Sequence, residues 1–170
     1  AEVGAKASKS EIDAAKAVVD ALMAKLKAQV ALKKNADDTL KAGKELYESQ
    51  LSEAKKFMEL AIQDEKEYQS LRGAVIENAN KLGLISDEDT YKLRLDYLEY
   101  GMDQEIAAIK NGMAEQISII ENWKIRMQRL YKGVLSAAKP EERPGIKLIE
   151  TADIEKENAK ILALTIDGQK

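Results

Sequence analysis

The sequence predicts an all-α protein: an elongated antiparallel helical bundle with two long helices, about 38–82 and 87–138, forming a hairpin. Two shorter helices pack on the base of that hairpin, and the whole is one domain spanning 1–170. Three observations carry this. Hydrophobic residues make up 45% and charged residues 34% of 170 residues, with two prolines, a profile of long helices and bundles. An eleven-residue unit repeats in tandem, Gly101–Asn111 then Gly112–Asn122, with five of eleven positions identical. A strict seven-residue spacing runs through Leu40, Tyr47, Ala54, Ala61, Tyr68, Val75 and Leu82.

Residues 1–8 are small and polar and are expected to fray. Ser10-Glu11-Ile12-Asp13 supplies a helix start with acid in its first turn, followed by an apolar stripe of Ile12, Ala15, Val19, Leu22 and Leu26. Lys33-Lys34-Asn35 then Asp37-Asp38 predicts a stop and a restart: cations near a C-terminus, a residue tolerant of left-handed backbone, then an N-cap. One continuous helix through Asn35 is the competing reading.

The second helix carries the heptad seam. Its partner position is mixed, with Gly43, Gln50, Phe57, Asp64, Leu71 and Asn78. Leu82-Gly83-Leu84 is the pattern of a helix end with glycine at C′ and an apolar residue after it. Ser86-Asp87-Glu88-Asp89 caps the next helix and places three acids on its positive end. So short a connection makes the flanking helices antiparallel neighbours.

The third helix holds the eleven-residue units. Their apolar seam reads 91, 95, 98, 102, 106, 109, 113, 117, 120 and is expected to be the buried face. Eleven residues in three turns is about 3.67 per turn, close to a straight helix. A heptad seam drifts by about 20° per repeat in the other sense. A two-stranded coiled coil does not satisfy both, so a nearly straight bundle with more than two helices at its base is expected. Folding the chain near residue 84 places Tyr47 near Trp123, Phe57 near Met113 and Tyr68 near Met102. Pro140 and Pro144 bracket a loop, and Ile146 to Ile166 forms the last helix, stopped by Asp167-Gly168.

With no cysteine and no histidine, the chain holds no disulfide, thiolate nucleophile, Cys/His zinc site or imidazole base. Bundle di-metal sites use Glu-x-x-His, and no glycine-rich phosphate loop or nucleophile elbow occurs. No catalytic residue, cofactor or metal is expected, and the chain is read as a non-enzyme. Gly101 and Gly112 each cost about 1 kcal/mol relative to alanine in an exposed helix. They admit either a neighbouring helix, the favoured reading, or a flat groove for a partner.

Leu84, Ile85, Tyr97 and Tyr100 are candidate partner contacts at the distal tip, while Tyr91, on the seam, is expected in the core. Residues 59–121 carry fourteen acids and six bases, whereas Lys124, Arg126, Arg129 and Lys132 form an acid-free run opposite Lys33, Lys34, Lys41 and Lys44. A solvated polar face is the preferred reading of that run. With a net charge of −3 and no nucleic-acid motif, no nucleic-acid partner is expected.

The chain begins Ala1-Glu2-Val3, which fits a mature protein after signal-peptide removal. A cysteine-free, Ala- and Glu-rich chain laid out as an elongated antiparallel bundle resembles the glutamate/alanine-rich surface coat proteins of trypanosomes. The resemblance implies an extracellular coat protein exposed to host or vector. It implies membrane attachment only through a processed anchor not present in these residues. Its partners would be neighbouring coat molecules, in a homo-oligomer, or another protein. The alternative is a periplasmic or secretion-associated helical adaptor or chaperone, and a small-ligand carrier between the base helices is a third reading.

Overall fold

The computed structural model describes residues 9–169, so the expected fraying of 1–8 lies outside the described residues. The described residues form three packed helices and no strand: α1 (Lys9–Lys81), α2 (Asp87–Ala137) and α3 (Arg143–Asp167).

The expected break at Asn35 does not form. α1 is a single helix of 73 residues, about 110 Å long at 1.5 Å per residue. The heptad register explains this correction. Counted back from Leu40 in sevens it reaches Lys33, Leu26, Val19 and Ile12, so the stripe assigned to a separate first helix continues the same seam. Thr39 donates its hydroxyl to the Asn35 carbonyl at 2.7 Å, a bond made within continuing helix. The fourth helix of the expected base is therefore missing. Residues 9 to about 32 project past the end of α2 as an overhang, with Ile12, Val19, Leu22 and Leu26 exposed.

The turn between the long helices forms as expected. Gly83 has φ of 71°, the left-handed conformation that glycine adopts without cost. Leu84 N–H donates to Ala79 carbonyl and Gly83 N–H to Asn80 carbonyl, the paired bonds of a Schellman end. Ser86 caps α2, accepting from Asp89 N–H at 3.1 Å. Asn80 bridges to Asp87 at 2.8 Å.

α1 and α2 then pair antiparallel, through Glu77 with Arg94, Gln69 with Gly101, Met58 with Gly112 and Tyr47 with Trp123. α3 begins with Pro144 in its first turn, ends at Gly168, and packs on α2. The core is confined to this base: Tyr47, Ile120, Trp123, Met127 and Tyr131, flanked by Leu40, Leu51, Ile119, Ile146, Ile154, Ile161 and Leu164.

Beyond α3 the pairing of α1 with α2 departs from expectation. Of the eleven-residue seam, Tyr91, Leu95, Leu98, Met102 and Ile106 are exposed. Ile109, Met113 and Ile117 are half-buried, and only Ile120 is fully buried. The stripe facing α1 is 94, 97, 101, 105, 108, 112, 116, one position earlier and so about 100° around the helix. On α1 the heptad seam leaves the interface after Ala54, and Tyr68, Val75 and Leu82 are exposed. Residues 58, 62, 65, 69, 73, 76 and 80 replace it, largely in eleven-residue steps. A heptad seam drifts about 80° over the four repeats from 54 to 82 of a straight helix, nearly one residue's turn. Phe57 and Tyr68 accordingly face outward, and their neighbours Met58 and Gln69 meet α2.

Candidate interaction surfaces

Three surfaces are built on this frame: the polar locks that hold α3, an apolar groove at the base, and the open face of the distal arm.

α3 is held by tyrosines. Asp153 and Glu157 lie one turn apart on it. Asp153 accepts from Tyr131 hydroxyl on α2 at 2.5 Å, and Glu157 from Tyr47 hydroxyl on α1 at 2.5 Å. Lys160 closes the second lock, 3.1 Å from Glu157 and 3.3 Å from Tyr47 hydroxyl, with its ammonium 5.2 Å from the Tyr47 ring centroid. Burial, and then the adjacent carboxylate, raises the pKa of both tyrosines above the ordinary value near 10. Neutral hydroxyls that donate to carboxylates are structural bonds, since a nucleophile or base would need the opposite shift.

At the open end of the base a groove of about 350 Å³ lies between Leu26, Val30, Leu32 and Ala36 of α1 and Leu130, Val134 and Ala137 of α2. Lys33, Arg129, Lys139 and Glu142 rim it. Lys33 pairs with Glu142 at 3.2 Å, and that hydrogen bond holds the Glu142 carboxyl below its ordinary range. Of the basic run, Lys124 is largely covered and pairs with Glu121 at 3.2 Å. Arg126, Arg129 and Lys132 are exposed.

The distal arm covers a mixed seam and leaves much of its apolar surface open. Where its two helices touch, Glu65, Gln69, Asn80, Gln104 and Glu105 and the glycines at 73, 101 and 112 are covered together with Met58, Ile62, Ile76, Tyr97 and Ala108. Glu65 Oε1 and Gln69 Nε2 are buried there without a hydrogen-bond partner, each at a cost of about 1–3 kcal/mol. Meanwhile Leu60, Leu71, Val75, Tyr91, Leu95, Leu98 and Met102 face solvent.

The glycines account for this rotation. The space a Cβ would fill at Gly101 is taken by the Gln69 side chain, and at Gly112 by Met58. The two positions admit a neighbouring helix, and Gly112 also borders an open groove of about 430 Å³ beside Phe57, Met58, Ala61 and Glu115.

The tip candidates scatter. Leu84 is exposed at the turn and Ile85 is half-buried beneath it. Tyr97 is half-buried with its hydroxyl against Gly73, so it belongs to the helix interface and not to an exposed contact. Tyr100 is exposed but lies more than three turns down the arm, where Arg72 stacks between it and Tyr68 at 5.9 and 5.7 Å from the ring centroids. Tyr91, expected in the core, is exposed. The locks of α3 escaped sequence reading, although the paired acids Asp153 and Glu157 at i,i+4 on an otherwise apolar face were a visible signal.

No group of carboxylates suited to hold a metal ion occurs among the described residues. None of their helices is long and apolar enough to cross a membrane. Neither a family model, nor a curated protein, nor a solved structure matches the chain.

Proposed function

We propose that this protein is a non-enzymatic cell-surface coat protein, a helical rod that acts by its shape and by packing beside its neighbours. The observation that carries the reading is the open face of the arm, where Leu71, Val75, Tyr91, Leu95 and Leu98 face solvent while the seam between the helices holds a mixture of polar, small and apolar residues. Such a surface is unfavourable in isolation and favourable once covered, because burying apolar area is worth about 25 cal/mol per Å². A rod that presents apolar stripes along its length is suited to side-by-side packing. Composition and helix layout point the same way, through their resemblance to the glutamate/alanine-rich coat proteins of trypanosomes. The finer layout, a hairpin whose distal end faces host or vector, belongs to this proposal, as does attachment through an anchor outside these residues.

The test is labelling of intact cells that make the protein, with a membrane-impermeant amine reagent directed at its many lysines. Labelling without permeabilisation is the expected result. Protein that labels only after the envelope is opened would sink the coat reading.

A second reading is favoured by the base groove: a secretion-associated or periplasmic helical adaptor that holds an apolar segment of a client. Apolar walls with a cationic rim suit an apolar peptide with an acidic flank. An adaptor would release from cells with the soluble periplasmic fraction and would capture such a peptide in a thermal-shift assay.

A further inference from the structure

One charge interrupts the seam of α1, and one glycine of the long helices has its space unfilled. From Ile12 to Leu82 the seven-residue register is apolar at every position except Lys33. Of the glycines within α1 and α2, Gly43 meets the ring of Trp123, Gly73 that of Tyr97, Gly101 the Gln69 side chain and Gly112 that of Met58. Gly133 meets none, with nothing within 4 Å of its missing Cβ. Both exceptions fall in one place, because Lys33 and Gly133 line the apolar groove at the open end of the base.

The walls and the rim of that groove select its occupant. Leu26, Val30 and Leu32 are 51%, 61% and 59% exposed, and covering them is favourable. The rim is cationic, since Lys33, Arg129 and Lys139 stand against one acid, Glu142. Lys33 is paired with Glu142 at 3.2 Å. Arg129, exposed at the end of the groove nearest the core, makes no ion pair among the described residues.

The dimensions suit one extended chain. Leu26 to Ala36 spans about 15 Å along α1. That is about half the thickness of a bilayer's hydrocarbon core, the reach of one acyl chain. The groove's volume of about 350 Å³ holds roughly twelve methylenes, each taken as the ~30 Å³ of a water molecule. Two turns of an α-helix occupy about 1,000 Å³. A helical peptide would enter by a side chain or two, not by its body.

We infer that the base groove binds a free fatty acid anion of about twelve carbons, with its carboxylate on Arg129 and its chain lying over Gly133. The planar fork of arginine takes a carboxylate through two parallel hydrogen bonds. Glycine at 133 lets the chain lie against the α2 backbone, which gives a role to a residue that otherwise weakens the helix. Lys33 and Lys139 add to the attraction and repel a cationic amphiphile. Occupancy by a fatty acid does not require the coat reading, and it differs from the client peptide of an adaptor.

Titration calorimetry and thermal shift of the full chain with sodium dodecanoate, kept below its micellar range, provide the test. One molecule per chain, a Kd below about 100 μM and a raised melting midpoint are expected. Hexanoate, too short to span the groove, should bind at least about tenfold more weakly. Dodecyltrimethylammonium, with the same chain and the opposite charge, should bind about tenfold more weakly as well. Gly133→Leu places its side chain in open space, so it should keep its helical circular dichroism and lose dodecanoate. Arg129→Met, at an exposed position, should weaken dodecanoate about fivefold and narrow the preference for anion over cation. No binding, a lowered midpoint, or equal binding of the anionic and cationic amphiphiles overturns the inference. So does undiminished binding in folded Gly133→Leu or in Arg129→Met. If only an apolar peptide with an acidic flank raises the midpoint, the fatty acid site falls and the adaptor reading stands.

Discussion

The Tyr47 ring stacks on Trp123, with centroids 5.2 Å apart and planes within 9°, and this contact joins α1 to α2 at the centre of the base. Its depth depends on Gly43, one turn before Tyr47. A Cβ there would stand 3.0 Å from Trp123 Cζ3, so the indole lies in the gap that the glycine leaves.

Gly43 and Gly133 should therefore respond in opposite directions to alanine. Trp123 is buried and fixed by Tyr47, and it does not move aside cheaply. Gly43→Ala should destabilise by about 1–2 kcal/mol despite the gain in helix propensity. Gly133 lies inside α2 with nothing within 4 Å of its missing Cβ, and Gly133→Ala should stabilise by about 1 kcal/mol. Urea unfolding of the two variants measures both signs.

The tyrosine locks make the base sensitive to alkali. Both folded-state pKa values lie above the unfolded value near 10. The protonated hydroxyls therefore contribute fully below pH 10, and the contribution is lost as pH rises from 10 toward the folded values. Stability followed against pH should fall above about pH 10 by this route. Tyr131→Phe should cost about 1–3 kcal/mol at neutral pH, because Asp153 loses its donor, and should flatten the alkaline fall. An unchanged alkaline profile in Tyr47→Phe/Tyr131→Phe would show that other groups drive the loss.

Continuity of α1 is directly measurable. Spin labels at Ile12→Cys and Glu48→Cys, both exposed, should lie about 54 Å apart along an unbroken helix. A fold-back at Asn35 would bring them within roughly 20 Å.

Replacing Gln69 by leucine should also stabilise the chain. Its amide nitrogen is buried beside Gly101 without a partner, and leucine removes that burden while filling a similar volume. A gain of about 1 kcal/mol is expected, read as a raised thermal midpoint.

Local signals in the sequence were reliable where they concerned helix ends. Gly83 and Ser86 terminate and cap their helices in the way their residue types dictate, because caps depend on a few adjacent backbone groups, and α3 ends at Gly168 with right-handed backbone at φ −71°. The pairing of Tyr47 with Trp123 followed from the hairpin alone, since the turn position sets which residues are level. The cation-then-acid pattern around Asn35 misled, because it occurs as readily on the surface of a continuing helix. The heptad from Ile12 to Leu82, apolar at every position but Lys33, was the stronger signal, and its period spans the supposed break.

The sequence by itself determined that the chain is helical, where α2 begins and ends, and that two apolar seams of different period run along it. Tertiary structure decided which seam is buried. On the arm, glycines at 101 and 112 let α1 approach on the stripe beside the apolar seam, and the leucines and tyrosines turn outward. Periodicity fixes which residues share a face. Which face a neighbour takes depends on how closely two backbones approach, and that is set by the three-dimensional match of small and large residues on both helices.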